Sequence, residues 1–587
     1  MRWKTSEQLL VVDGASLREV YAYDPLSSFD PGPDGPDEDR EKTTVEVSAT
    51  DKKTLGVWRQ DAERDRPCQH RRRGRRRKAA CQTLTSDIIW GMRALLFVAV
   101  ALLGGTASAK TITISPGDAF TKMEAAVAGD VVEIAPGTYK FRVNFSQDGT
   151  PTQPITVRAQ DPANRPVWDL TGIPVGTAPG SYTAGDKHRG CWQFHGANYR
   201  VDGIVFRNCT DDSSAGVRVV NVAGIELRHC KFVGNTNGLT GAGDGLVVEY
   251  SEFDGNGHVF TAGDNPAHQI YIFGGTLAVR YSYFHDSPAG QNFHVRARDA
   301  TLEYNWLTRP GSYMGDLMSC EYLCGGNGTA GITQKMLLRG NVIVQGTPAN
   351  HSQLLVMLKD GGASADATGD VNAMQMTLIG NTIIGTSGYQ NSLVHHLNDS
   401  GISTSAHLMN NLVTNFVRLN LIEAPAMMNH TVDGASNWLT TGTDATSVTG
   451  SLFGADAMLG AGYVPGTGSP VVGKATVSAS APVYEYYRDE TVTQRGRARA
   501  TAADIGAFEH GNAATPFDGY GVVPPPLDLG ADADWPWAGD ALIADGGTVA
   551  AMPGGCGCDV GAAGGGSGVV LVLGVLLLAR LRRRDTR

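Results

Sequence analysis

Apolar and polar residues in the middle of the chain follow one recurring pattern: apolar, any, apolar, two residues, a small polar residue, any, apolar. It reads Ile204-Phe206-Cys209, then Ile225-Leu227-Cys230-Phe232, Leu246-Val248-Ser251-Phe253 and Leu277-Val279-Ser282-Phe284. It continues as Ala300-Leu302-Asn305-Leu307, Met336-Leu338-Asn341-Ile343, Met376-Leu378-Asn381-Ile383 and Ala406-Leu408-Asn411-Val413. The small polar column is thus Cys, Cys, Ser, Ser and then four Asn, at intervals of 21, 21, 31, 23, 36, 40 and 30 residues. Alternation with a period of two marks strands with one buried face. A base interval near 21 with insertions marks one set of short strands per turn of a solenoid. No turn can bury its apolar face alone, so turns must stack about 4.8 Å apart. The Asn column fits a bend where stacked amides bond to one another and to the backbone. The pattern predicts an all-β chain, a right-handed parallel β-helix, whose variable intervals are loops on the side where a cleft would form.

Both ends of the solenoid are legible. Asp118 to Ala128 carries Phe120, Met123 and Val127 at helical spacing and predicts a short N-terminal helix capping the open stack. Val131-Val132-Glu133-Ile134-Ala135-Pro136-Gly137-Thr138-Tyr139 reads as strand, tight turn, strand, and closely resembles the first turn of secreted β-helix proteins, lyases among them. Ser469-Pro470 and Asp504-Ile505-Gly506-Ala507-Phe508-Glu509 resemble the closing segment of bacterial surface β-helix proteins. The expected solenoid is 110–510. A Pro/Gly/Asp-rich spacer follows over 511–555, with Val522-Val523-Pro524-Pro525-Pro526 and Trp535-Pro536-Trp537.

The flanks carry addresses instead of fold. Met92-Arg93, the apolar run Ala94 to Leu103 and the ending Ala107-Ser108-Ala109 form a signal peptide over 92–109, too short to span a bilayer. Residues 1–91 are a polar leader ending in the basic run Arg71 to Lys78. They read as translated upstream sequence ahead of a start at Met92, or as a nucleic-acid-binding arm. In 556–587, the apolar run Gly568 to Ala579 precedes Arg580, Arg582, Arg583 and Arg584, a charge order that keeps the C-terminus cytoplasmic. With Gly554-Gly555-Cys556-Gly557-Cys558 before it, this order resembles the C-terminal sorting tail of myxobacterial surface proteins. The resemblance implies export, processing near Cys556 or Cys558, and attachment to the cell envelope. A plain C-terminal transmembrane anchor is the alternative, and both place the body at the cell surface or in the medium.

Composition narrows the chemistry. The 587 residues include 74 Gly, and only 18% are charged, which excludes a coiled coil or a mostly disordered chain. Residues 110–579 hold 26 basic and 42 acidic residues. Such a body lacks the cations that nucleic-acid binding needs. Of nine cysteines, Cys191, Cys209, Cys230, Cys320 and Cys324 lie in the body. In an oxidising compartment Cys320 and Cys324 are the expected disulfide, closing a small loop. Cys209 and Cys230, in one column, read as stacked thiols or a second disulfide. No His/Cys spacing suggests zinc.

Ionisable residues are densest between 258 and 321: His258, Asp264, His268, Tyr271, His285, Asp286, His294, Arg296, Arg298, Asp316 and Glu321. The stretches His268-Gln269-Ile270-Tyr271-Ile272, Tyr283-Phe284-His285-Asp286, Gly290-Gln291-Asn292-Phe293-His294-Val295-Arg296-Ala297-Arg298 and Glu303-Tyr304-Asn305 are similar in order to bacterial polysaccharide-lyase-like β-helix proteins. There a Lys commonly stands where this chain has His294, and Arg296 matches the Arg two residues on. The departure either substitutes a His base or removes catalysis. β-Elimination needs a neutralised uronate carboxylate, by Ca²⁺ or Arg, and a base within ~3 Å of the proton. Residues 294, 296 and 298 share one side of a strand, and that side is expected to face outward, since an inward row would bury three unpaired basic groups. The functional reading takes His294 as base, Arg296 as neutraliser, and His268 or His285 as acid or substrate contact, with Arg298, Tyr271 and Asp286 contacting substrate. Three readings follow: a polysaccharide lyase acting as a monomer, a non-catalytic surface rod or adhesin, and, more weakly, a glycoside hydrolase using His195 and Asp211-Asp212. Calcium is the one candidate cofactor, on acidic loops such as Asp360 to Asp370.

Overall fold

A computed structural model describes residues 109–519, apart from 174–188, 211–213, 259–266, 322, 325–331, 347–352, 359–370, 398–401, 423–429 and 489–493. The leader, nearly all of the signal segment, most of the spacer, Asp264, the 360–370 loop and the tail with Cys556 and Cys558 lie outside the described residues.

From Thr111–Ile114 to Leu452–Gly454 the strands pair in parallel with their counterparts one turn away. A representative coil runs Phe293–Val295, Asp299–Glu303, Trp306–Thr308 and on to Gly315–Met318. Each coil thus contributes strands to three faces. Two faces merge through the long strands Asn237–Glu249 and Ile270–Arg280 into one 20-stranded sheet, and the third is a 12-stranded sheet. This is a right-handed parallel β-helix, the sense in which right-twisted strands return to a shared sheet.

The interior is one continuous apolar column. Phe206, Phe232, Phe253 and Phe284 stack face to face at centroid spacings of 5.2, 4.5 and 4.5 Å. Leu307, Ile343, Ile383 and Val413 continue their register. At the adjoining bend the small polar residues form a ladder. Asn305 Oδ1 accepts the Ser282 N–H at 2.9 Å, and Asn341 Oδ1 accepts the Asn305 N–H and Nδ2–H at 2.9 and 3.0 Å. Asn381, Asn411 and Asn437 repeat the arrangement, so the column is one member longer than the pattern showed.

Its upper end is corrected. Lys231 pairs with Val205, so the residue above Cys230 is Ile204, not Cys209. Cys209 instead heads a second ladder at another bend, donating its N–H to Asn235 Oδ1, which is followed by Asn256 and Gln269. Cys191, Cys209 and Cys230 are buried free thiols.

The residue before each ladder position takes the left-handed conformation: His229, Tyr250, Tyr281 and Tyr304 have φ between 49° and 54°. A bulky residue there costs roughly 1–2 kcal/mol. Ring stacking offsets it, with successive centroids 5.2, 5.1 and 5.4 Å apart. One residue earlier, Asp202, Arg228, Glu249, Arg280, Glu303 and Arg339 alternate in charge coil after coil.

The ends differ from expectation. The capping helix is a single turn, Thr121–Glu124, which buries Met123 but leaves Val127 40% exposed. The coils stop at Gly454. The chain then turns back along the outside, through the antiparallel hairpin Tyr484–Arg488 and Gln494–Ala498, and covers the tyrosine column with Tyr484 and Phe517. His229 Nε2 lies 2.6 Å from the Asp518 carbonyl.

Replacing Asn341 by Ala strands the buried Asn305 N–H and the Leu302 carbonyl. At about 1–3 kcal/mol per orphaned group, a loss of roughly 2–6 kcal/mol is expected, and Asn341→Ser should lose less, since Ser251 and Ser282 hold the same ladder position. Thermal unfolding of the three proteins measures this.

Candidate active site

Backbone register brings the site together. Tyr271, His294 and Asp316 are neighbours on three successive coils of the large sheet. Phe293 and Val295 point into the core, so His294 points out. Close approach of these coils depends on Gly315, where a Cβ would stand 2.2 Å from the Phe293 ring.

The row His294, Arg296 and Arg298 faces away from the core, as expected, but only Arg298 is well solvated. His294 is 7% and Arg296 3% exposed. His294 Nδ1 is 2.9 Å from Asp316 Oδ2, and its Nε2 receives the Arg296 Nε–H at 3.4 Å. The His268 ring stacks on His294 at 4.6 Å, and Tyr271 meets its edge at 4.5 Å. Tyr313 donates its hydroxyl to Asp316 Oδ2 at 2.9 Å, an arrangement that pushes the phenol up, burial first and the Asp316 charge second. Burial, with His294 and Arg296 beside it, drives His268 well below the ordinary imidazole range. A ring held neutral in this way is a poor acid. Tyr271, by contrast, is partly exposed.

A disulfide joins Cys320 and Cys324 next to the site. The same stretch places Glu321 Oε2 3.9 Å from Arg296 and the Leu323 carbonyl 3.4 Å from Arg298. Arg298 also pairs with Asp299 at 2.9 Å and Asp244 at 3.5 Å, forming a rim of both signs.

His285 and Asp286 do not join this group. The strand Tyr283–His285 belongs to the other sheet. There His285 Nε2 is 3.1 Å from Glu252 and Nδ1 2.7 Å from Asp286. The Arg309 guanidinium holds the Asp286 carboxyl well below the usual carboxylate range. Sequence proximity misled here, because a bend of a few residues separates two faces of the helix. Glu252, Asp254 and His285 are close enough to share a metal ion. However, the Lys231 ammonium already lies 3.0 and 3.3 Å from the two carboxylates, in the place a cation would take. The residues therefore do not fit calcium. Of the hydrolase set, His195 bonds to Gln193, and Asp211-Asp212 lie outside the described residues. Asp316 and Tyr313 are the site members to which sequence reasoning gave no role. The signal was available, since Tyr271, His294 and Asp316 are 23 and 22 residues apart, close to one coil.

The fold and this outward His–Asp–Arg group define a β-helix with a recessed polar site. No family model matches the chain, and no curated protein does. Among solved structures it is similar to pectate lyase Pel9A, with 16% identity, a TM-score of 0.42, and 69% of this chain and 98% of that one covered. A rhamnogalacturonan lyase is similar at 14% identity, TM-score 0.39, with coverages of 69% and 96%. An alginate lyase from Paenibacillus sp. str. FPU-7 stands at 13%, 0.37, 57% and 99%. These likenesses assign no residue. Among the described residues no helix is long and apolar enough to cross a membrane.

Three depressed histidines, His268, His396 and His430, set an acid dependence. His268 is driven well below 6.5, and burial takes His396 to about 3. Between about pH 6.5 and 3 the unfolded chain binds protons that the folded chain refuses, so stability is full above 6.5 and falls as pH drops. Denaturant midpoints across this range should decline, and less steeply in His396→Gln.

Proposed function

We propose that the chain cleaves a uronate-containing polysaccharide by β-elimination at the site formed by Tyr271, His294 and Arg296, with Asp316 buried behind them. The observation that carries this reading is the contact between His294 Nε2 and Arg296, which sets a base beside a fixed cation. The substrate carboxylate pairs with Arg296, which stabilises the charge that builds on it as the adjacent carbon loses its proton. As Arg296 turns from His294 to the substrate carboxylate, the Nε2 lone pair it had engaged is released and takes that proton. The electron pair forms the carbon–carbon double bond as the glycosidic C–O bond breaks, and the leaving oxygen takes a proton from the Tyr271 hydroxyl. No step runs through a metal.

Export to the cell surface is part of this proposal, supported by the signal segment, the tail order and a disulfide that suits an oxidising compartment. The burial of His294 and Arg296 favours a second reading, a non-catalytic rod in which the row is structural.

The full chain is incubated with pectate, alginate and a glucuronate polymer, with and without Ca²⁺, while the ultraviolet absorbance of the unsaturated product is followed. His294→Ala and Arg296→Ala should each lower kcat/KM by about 10²–10⁴-fold. Absence of product on every polymer by a folded protein would favour the rod.

A further inference from the structure

We infer that Asp316 is a positioning residue that holds His294 in its Nδ1–H tautomer, with the Nε2 lone pair on the side of Arg296. Two contacts on opposite edges of the ring require this. Asp316 Oδ2, a pure acceptor when ionised, stands 2.9 Å from Nδ1 and calls for a proton there. Arg296 Nε–H, a pure donor, stands 3.4 Å from Nε2 and calls for a lone pair. The opposite tautomer would set two N–H groups against each other on one edge and a lone pair against a carboxylate on the other.

Asp316 is built for this task. It is wholly excluded from water, a state an ionised carboxylate tolerates only with donors around it. Tyr313 supplies an O–H to Oδ2 at 2.9 Å, and Val295 a backbone N–H to Oδ1 at 3.3 Å. These donors fix the carboxylate from two sides. The parallel register of Phe293–Val295 with Gly315–Met318 sets its height against His294, so no loop has to order for the pair to form. Asp316 lies behind the ring and acts through it.

The kinetic consequence rests on the reading of His294 as the base; the tautomer itself does not. Long-range ¹⁵N–¹H NMR of the full chain, with His294→Gln used to assign the signal, should give the wild-type ring the pattern of a neutral Nδ1–H imidazole. Asp316→Asn should move it toward the Nε2–H pattern, and Asp316→Glu should restore it in part. In the lyase assay Asp316→Asn should lower kcat about 10²–10⁴-fold while KM stays within about twofold. A wild-type spectrum of the Nε2–H form overturns the inference without any variant, and so does a folded Asp316→Asn protein with an unchanged His294 signal. An Nδ1–H spectrum without elimination on any polymer leaves the positioning role standing and removes the lyase.

Discussion

The structure depends on one constraint: every group a coil turns inward must be met by the same position on the coil above and below. A phenylalanine meets a phenylalanine at 4.5 Å, and an asparagine amide meets an asparagine amide at 2.9–3.0 Å. The constraint also acts on the outside, where Arg228, Glu249, Arg280, Glu303 and Arg339 alternate so that each coil faces opposite charge. A coil shifted by one residue would send its apolar set outward and set like charges side by side. That rigidity is what lets Tyr271, His294 and Asp316, far apart in sequence, be held in line by backbone alone.

The two histidine clusters show how little residue type says about role. His285 and His294 are nine positions apart, and both have carboxylates as partners. His285 has an acid at each ring nitrogen and sits in a network of Lys231, Glu252, Asp286 and Arg309, whose charges are internally answered. His294 has an acid at one nitrogen and a guanidinium at the other. On the proposed reading, that asymmetry separates a base from a structural ion network, because the Nε2 lone pair meets a cation that a substrate carboxylate can draw away.

Much of this was legible in the chain. From Cys230 to Asn411 each small polar residue sits where the apolar alternation placed it. The miss at Cys209 arose because a different bend starts its own ladder with the same residue type. The ladder's continuation to Asn437 was hidden because Gly434, at a φ of 142°, replaces the apolar residue expected beside it. The outward row at 294, 296 and 298 followed from strand parity. Its burial did not, because neighbouring stretches such as Cys320 to Cys324 cover it, and nothing in local pattern tells where a loop folds. Asp316 was visible as an acid near the site, and only coil spacing could have tied it to His294.

The segment after Gly454 changes how the rod can be assembled. Coils can be added one at a time as the chain is made, since each needs only its predecessor. The tyrosine column cannot be finished that way. Its cover comes from residues far along the chain: Phe517 packs on Tyr281, and Asp518 closes on His229 across 289 positions of sequence. Until those residues emerge, a stack of otherwise complete coils carries a strained, ring-lined seam facing water. The strap can dock only on coils that are already in place. It converts a row of nearest-neighbour units into a body whose early and late coils stand or fall together.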